Sequence, residues 1–229
     1  MKMNSWILTA AVVIGAQAAS AADITGKITF KGTPLPEKEI ALDAACAKPR
    51  TTKLTTKFFV VGSKGELADV FVTIKGMSGK STGASAPTLV IDQLGCEYVP
   101  YITAVQTGQK IIVKNSDTVL HNVHPIPTVT GNKEVNRAQL PGTDLNFTFD
   151  NAETMLKFSC NVHPWMFAYV SVVDHPYFSV SAKDGTYKIA NVPPGKYTVE
   201  ATHRKGRVET KEIEVKNDGV VLDFTIEAK

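Results

Sequence analysis

The sequence carries little net charge and few of the signatures that mark an enzyme. Its 229 residues include 25 lysines and arginines against 22 acidic residues, and only five histidines. So small an excess of positive charge gives no indication of nucleic-acid binding. A Ser-His-Asp arrangement, a phosphate-binding loop and a defined pair of catalytic carboxylates are all missing. We therefore expect neither an enzyme nor a nucleic-acid partner.

Apolar runs long enough to cross a membrane are also missing. Lys2, the apolar run from Trp6 to Gly15 and the small residues at 19–21 have the layout of a secretory signal peptide. The apolar run is shorter than the roughly 20 residues of a spanning helix. We expect residues 1–22 to be a signal peptide and the protein to be periplasmic or secreted, with no membrane span. A retained anchor is the alternative.

Cysteine is scarce, and its three residues leave one thiol unpaired under any intramolecular pairing. In an oxidising compartment, Cys46 and Cys96 are the natural pair for a structural disulfide. The alternative is two reduced thiols, one of which helps to handle a metal. Cys160 is then a free thiol in an exported protein, and metal ligation is one explanation for it.

Helical periodicity is nearly absent from the chain. Short alternating or apolar runs recur between Gly, Pro, Asn and Asp, from ITGKITF near the start to VLDFTI near the end. This pattern predicts an all-β fold built from sandwiches. We expect three parts after the signal peptide: a β extension over residues 23–86, a first sandwich over 87–174, and a second, smaller sandwich over 175–229.

The tail contains two turn motifs, DGTY and PPGKY, which favour a tight hairpin and a rigid bend. They resemble the carboxypeptidase regulatory-like (transthyretin-like) β-sandwich, and a weaker match lies near the start of the chain. One interpretation is that the extension over 23–86 pairs with the tail sandwich. The matching residues are Gly26, Gly32, Pro34 and Leu35 at the front, and Asp184, Gly185, Tyr187, Pro193, Pro194, Gly195 and Tyr197 at the back.

The stretch FSCNVHPWMFAYVSVV places Cys160, His163 and Met166 in one short loop between two predicted strands. A second imidazole is available upstream at His121, with His124 as the competing residue. Thiolate and thioether sulfur favour Cu(I), whereas imidazole also suits Cu(II). Two histidines and a cysteine with a long axial methionine form the blue-copper arrangement.

The segment over residues 109–173 resembles the cupredoxins, and among them those with the short ligand loop of amicyanin. The resemblance rests on Asn115, on HNVH at 121–124 and on CNVHPWM at 160–166. It implies a Greek-key β-sandwich in which Asn115 tethers the two ligand loops and supports the hydrogen bonding around the thiolate. It also implies one type 1 copper ion, bound by His121, Cys160, His163 and Met166.

For several residues in this loop and elsewhere in the chain, two interpretations stay open. Trp165 and Pro164 form an apolar docking patch for a partner protein, or Trp165 packs over the site and excludes water. Met166 is an axial ligand, or it only fills the core. His175 and His203 hold a second metal, or they are ordinary histidines with satisfied hydrogen bonds.

The function that this pattern favours is a periplasmic one-electron carrier with a single copper ion and a redox partner protein. A copper-binding or copper-delivery module without redox turnover is the main alternative, and an interaction module with a secondary metal site is another. An enzyme is disfavoured because copper nitrite reductases and oxidases need a further centre with several histidines. Five histidines, two of them already assigned, cannot supply it.

Overall fold

The computed structural model describes residues 20–229, so residues 1–19 of the predicted signal peptide lie outside the described residues. Within that range the regular elements are β-strands, apart from one short α-helix and one 3₁₀ turn. The predicted all-β fold is confirmed. No helix between residues 20 and 229 is both long and apolar enough to cross a membrane.

The described elements follow one another along the chain with short connections, apart from a long irregular segment between β1 and β2. They are β1 Ala22–Lys31, α1 Ala44–Ala47, β2 Phe71–Ile74, the 3₁₀ turn Gly83–Ser85, β3 Leu89–Gln93, β4 Tyr98–Val99, β5 Ile102–Gln106, β6 Ile111–Asn115, β7 His121–Ile126, β8 Arg137–Gln139, β9 Asp144–Phe147, β10 Glu153–Ser159, β11 Phe167–Val173, β12 Phe178–Val180, β13 Thr186–Val192, β14 Gly195–Thr202, β15 Glu209–Val215, β16 Val220–Val221 and β17 Phe224–Glu227.

Strands β3 to β11 form one sandwich, here called the central sandwich. One sheet has the order β5-β11-β10-β7-β8 and the other β4-β3-β6-β9. Side chains alternate along β10, so that Leu156 and Phe158 point into the core and Cys160 follows them on the same inner face. This alternation brings Cys160 into the sandwich at the end of the strand.

The remaining strands form the terminal sandwich, which is assembled from both ends of the chain. β1 pairs antiparallel with β13 and parallel with β16 and β17, and the second sheet has the order β12-β2-β14-β15. Gly26 in β1 lies so close to its neighbour that a Cβ atom there would fall 2.0 Å from the carbonyl oxygen of Leu222. The glycine of the first strand is therefore required by close packing.

Residues 38–57, here called the strap, leave the terminal sandwich and lie against the central one. The strap doubles back on itself: Ile40 N donates to Leu54 O at 2.9 Å. Its helix α1 begins at Asp43, whose side chain accepts from Cys46 N at 2.8 Å. The predicted disulfide joins Cys46 to Cys96 and so fixes the strap to the turn before β4. The front segment over 23–86 is thus shared between the two sandwiches.

Side chains of both sandwiches also meet directly. Arg204, in the loop after β14, lies over the rings of Tyr101, Phe167 and Tyr169 at 5.4 to 5.7 Å from their centroids. Such cation–π contacts hold the guanidinium group against the central sandwich. The domain boundaries at residues 86 and 174 stay predictions.

Candidate metal centre

Two neighbouring strands and one loop bring the predicted ligands together. His121 is the first residue of β7, and Cys160 follows the last residue of β10. β7 and β10 pair antiparallel, with Ser159 opposite His124, so His121 and Cys160 both lie at the end of the sheet from which the 160–166 loop projects.

The donor atoms of three of these residues face one another in a buried space. Cys160 Sγ lies 4.0 Å from His121 Nδ1 and 3.8 Å from His163 Nδ1, and the two Nδ1 atoms are 2.9 Å apart. His121 and Cys160 are fully buried and His163 is 4% exposed. Two imidazole nitrogens and a sulfur that converge in this way suit a late transition metal, so the residues present fit the ion that the sequence predicts.

Met166 closes the ligand loop through its backbone. Its N–H donates to His163 O at 2.9 Å, and its carbonyl accepts from Cys160 N at 3.0 Å. Its side chain is 1% exposed and belongs to the core of the central sandwich. These bonds hold Cys160 and His163 at a fixed separation, while axial ligation by the thioether stays a prediction.

Each histidine is held at its outer nitrogen by a carboxylate. His121 Nε2 lies 2.9 Å from Asp117 Oδ2, and His163 Nε2 lies 3.2 Å from Asp43 Oδ2. A carboxylate that accepts a hydrogen bond from Nε2–H orients the ring and, in the neutral imidazole, leaves Nδ1 as the nitrogen that can bind a metal. Both Nδ1 atoms are therefore directed at the space beside Cys160.

The surroundings raise the pKa of His121 and lower the pKa values of Cys160 and His163. Burial disfavours the charged form of His121, but hydrogen bonds to Asp117 and Cys160 outweigh it and raise the pKa of His121 to about 9. Burial also acts against the Cys160 thiolate, yet hydrogen bonds from His121 and nearby backbone groups lower its pKa. Burial and the charge of His121 lower the pKa of His163. These shifts favour the thiolate form of Cys160, the neutral form of His163 and the protonated form of His121 in the metal-free protein.

Asn115 and Asn122 divide the tethering role between them. Asn115 Nδ2 donates to Val119 O at 3.0 Å and to Gln139 O at 3.1 Å, which ties the chain before His121 to β8. Asn122 Oδ1 accepts from the backbone of residues 161 and 162 at 2.5 and 3.2 Å. The bond between the two ligand loops is therefore made by Asn122, whose only sequence signal is its place beside His121.

The other residues near the site lie around its edge. The Trp165 ring lies 5.2 Å from that of His163, and its Nε1 donates to Cys96 O at 3.3 Å. Pro164 is exposed. The disulfide sulfur of Cys46 lies within 4.8 Å of the Asp43–His163 pair, and that of Cys96 lies within 4.8 Å of the Asp117–His121 pair. Disulfide-bonded sulfurs are not thiolates and therefore do not act as metal ligands.

The remaining histidines lie away from this centre. His124 bonds to Asn161 and Glu134 at the surface, so the structure brings His121 and not His124 to Cys160. His175 Nε2 donates to Ile74 O at 3.0 Å. His203 stacks on Phe59, with ring centroids 4.7 Å apart. Neither His175 nor His203 belongs to a group of potential ligands within residues 20–229.

Asp117 and Asp43 were missed by the sequence analysis for different reasons. Asp117 stands four residues before His121, a spacing that could have suggested the contact. Asp43 reaches His163 from the strap, and neither spacing nor periodicity marks it in the sequence.

Comparison with known proteins supports a β-sandwich for the tail and finds solved structures that are similar over less than half of the chain. The family model for the second β-sandwich domain of NOMO1-like subunits of the BOS complex matches residues 176–225. No curated protein matches the chain significantly.

Three solved structures illustrate the similarities. A Cu(I) structure of an amicyanin mutant is 24% identical, with a TM-score of 0.34, over 44% of this chain and 97% of amicyanin. A purple cupredoxin from Nitrosopumilus maritimus is 22% identical, with a TM-score of 0.32, over 37% of this chain and 98% of that protein. The copper nitrite reductase NirK from Thermus scotoductus SA-01 is 18% identical, with a TM-score of 0.34; the match spans 42% of this chain and a quarter (25%) of that enzyme.

Proposed function

We propose that this protein binds a single copper ion and carries one electron between partner proteins outside the cytoplasm. His121, Cys160 and His163 would supply the main ligands, and the Met166 thioether would be a weaker one. The observation that carries the proposal is the convergence of two Nδ1 atoms and one cysteine sulfur in a buried space. Copper, which alternates between Cu(I) and Cu(II), supplies the one-electron chemistry when bound.

The chemistry of the donors supports copper over zinc. Structural zinc sites commonly use four cysteine or histidine ligands and no methionine, and catalytic zinc sites keep a position open to water. Among residues 20–229, three such donors converge here, and all are 4% exposed or less. A mixed set of thiolate, thioether and imidazole serves both oxidation states of copper.

The residues of the chain hold this donor set in place and keep water out. Carboxylates hold both outer nitrogens, Asn122 ties the two ligand loops together, and backbone bonds close the loop at Met166. Ligands held so firmly change little between oxidation states, which favours fast electron transfer. Their burial leaves little room for a substrate, and this supports a carrier over an enzyme.

A ring of apolar side chains around this end of the central sandwich supports docking of a redox partner. Leu120 directly precedes His121. Leu140 directly follows Gln139, which pairs with His121 across the two strands. Val162 directly precedes His163. Leu94 directly precedes Gly95, whose N–H donates to the carboxylate of Asp117. The four side chains are 45%, 64%, 48% and 53% exposed, in that order. Such a ring would extend the docking patch predicted at Pro164 and Trp165.

The visible spectrum tests the proposal. The purified, copper-loaded and oxidised protein is expected to show an intense thiolate-to-copper charge-transfer band, which Cys160→Ser abolishes. His124→Gln alters the neighbouring surface histidine and is the matched control, so its band should equal that of the wild type. A colourless oxidised protein that has taken up copper contradicts the proposed type 1 site.

Copper storage or delivery without redox turnover is the second candidate function. It is favoured by the position of the strap, which covers the outer edge of the His163 imidazole. The strap lies at the outer edge of this imidazole, so a partner has less direct access to it. Cyclic voltammetry and transfer of Cu(I) to an acceptor chelator separate the two functions. A potential outside the range of physiological partners, together with ready Cu(I) transfer, would favour delivery.

A further inference from the structure

The strap is folded and anchored at several points. Thr56 N donates to Lys38 O at 3.1 Å, which closes its base. Arg50 donates to Gly95 O at 2.5 Å, and Arg50 and Lys57 both pair with Glu97. Together with the disulfide, these contacts fix the strap to the turn that precedes β4.

Asp43 uses its two carboxylate oxygens for two separate contacts. Oδ1 accepts from Cys46 N at 2.8 Å and caps helix α1, while Oδ2 faces His163 Nε2 at 3.2 Å. The helix cap orients the carboxylate, and the disulfide at Cys46 fixes the helix. The second oxygen is therefore directed at the imidazole by structure that lies outside the central sandwich.

We infer that Asp43 is a positioning residue for His163, contributed by the strap to a metal site whose ligands all belong to the central sandwich. This inference rests on the proposed function in treating His163 as a ligand. Asp117 is the counterpart of Asp43 at the other imidazole, because it holds His121 in the same way from four residues earlier in the chain. Each imidazole is then held by a carboxylate on its outer side and presents Nδ1 to the metal.

The same contact closes the outer edge of the site. His163 is 4% exposed although it lies in a loop at the end of the sandwich. On the side away from His121 and Cys160, the Asp43 carboxylate and the Trp165 ring lie against it, and Cys46 Sγ is within 4.8 Å. The strap thus holds the imidazole in place and shields its Nε2 proton from water.

The test separates the two contacts of Asp43. Asp43→Ser keeps an oxygen that can cap α1 but removes the one that reaches His163. Asp218→Ala removes an exposed aspartate of the terminal sandwich and serves as the control. In metal-free protein, long-range ¹H–¹⁵N spectra with saturation transfer from water measure exchange of the His163 Nε2 proton. In copper-loaded protein, a competing chelator measures the rate of metal release.

We expect slow proton exchange in the wild type and in Asp218→Ala, and exchange too fast to observe in Asp43→Ser. Copper release should be about tenfold faster in Asp43→Ser alone, at the lower end of the range for residues that orient metal ligands, because Asp43 is half-exposed. Equal proton exchange in all three proteins, or equal release from copper-loaded protein, overturns the inference. A wild type that binds no copper refutes the proposed function, while proton exchange still decides the contact between Asp43 and His163.

Discussion

The two sandwiches bury histidines in opposite ways. In the central sandwich, His121 and His163 bond to carboxylates and face a thiol, and the pKa of His121 is raised to about 9. In the terminal sandwich, His203 stacks on Phe59, and burial, aided by Arg204 and Lys229, lowers its pKa to about 4. Burial alone therefore does not mark a candidate ligand; His121 and His163 are marked by inner nitrogens that face the sulfur of Cys160.

The cores of the two sandwiches differ in a related way. The terminal core is formed by aliphatic and aromatic residues contributed by both ends of the chain. The central core also includes Cys160 and Met166, and its end is closed by the strap and the disulfide. The central sandwich thus has a covalent link at the end that carries the candidate metal centre, whereas the terminal one has close backbone packing at Gly26.

Removing the disulfide should have the largest effect on this difference. The bond links residues 50 apart, and loop closure of that length is worth about 4 kcal/mol in the chain-entropy model. We expect Cys46→Ser/Cys96→Ser to lower the unfolding free energy of the central sandwich by about that amount. Trp165 is the only tryptophan outside the predicted signal peptide, so denaturant unfolding followed by its fluorescence reports on this sandwich.

Hydrogen exchange measured on peptides from β13 and β14 provides the control for that variant. These strands belong to the terminal sandwich and should keep their protection in the absence of denaturant. Equal loss of protection in both sandwiches would contradict the view that the disulfide serves the central one.

Gly26→Ala tests the dependence of the terminal sandwich on backbone packing. The added Cβ atom would lie 2.0 Å from Leu222 O and 2.9 Å from the Tyr187 ring, so strands must move apart. We expect a loss of about 3 kcal/mol in the unfolding free energy of the terminal sandwich. Gly142→Ala is the steric control, because no atom lies within 4 Å of its added Cβ, although its positive φ carries a smaller cost of its own. Little loss in Gly26→Ala would contradict the close packing of β1.

The sequence was sufficient to predict much of the fold and the group of potential ligands. Alternating short runs predicted the all-β fold, and the predicted export made Cys46 and Cys96 the expected disulfide pair, with two reduced thiols as the alternative. Cys160, His163 and Met166 lie in one loop, and His121 begins the strand that pairs with β10. Spacing within one loop grouped Cys160, His163 and Met166, whereas the cupredoxin resemblance, together with its place after a predicted strand, selected His121. The structure brings His121, Cys160 and His163 within contact distance.

Contacts that depend on tertiary structure could not be predicted in this way. Asp43 is half-exposed and meets His163 only because the strap crosses from one sandwich to the other. Asn122 tethers the ligand loop through a contact that follows from strand pairing. Residues of this kind have neither periodicity nor fixed spacing, so only the folded chain reveals them.

Acid should destabilise the terminal sandwich through His203. Its folded-state pKa of about 4 lies below the unfolded value of 6.5, so the unfolded chain binds the proton more readily. Stability is therefore fully present above about pH 6.5 and is lost as the pH falls towards 4, by at most about 3 kcal/mol. Protection of β14 peptides at pH 7 and pH 4.5 measures this loss.

His203→Gln isolates the contribution of this one histidine, because carboxylates also titrate in acid. The variant is expected to be less stable at pH 7, since the stacking on Phe59 is lost. The drop in its stability between pH 7 and pH 4.5 should nevertheless be smaller than in the wild type. An equal drop in both proteins would show that other groups cause the acid sensitivity.

Arg204→Ala should have the smallest effect, because the contact that it removes between the sandwiches is weak. The guanidinium group lies over Tyr101, Phe167 and Tyr169, and such contacts are worth about 1 kcal/mol. We expect a loss of about that size in the unfolding free energy followed by Trp165 fluorescence, with the copper spectrum unchanged. Arg204→Lys keeps the charge and should recover part of the loss. A changed copper spectrum in Arg204→Ala would mean that the terminal sandwich influences the ligand loop through Phe167, and the two regions would then be coupled in function as well as in stability.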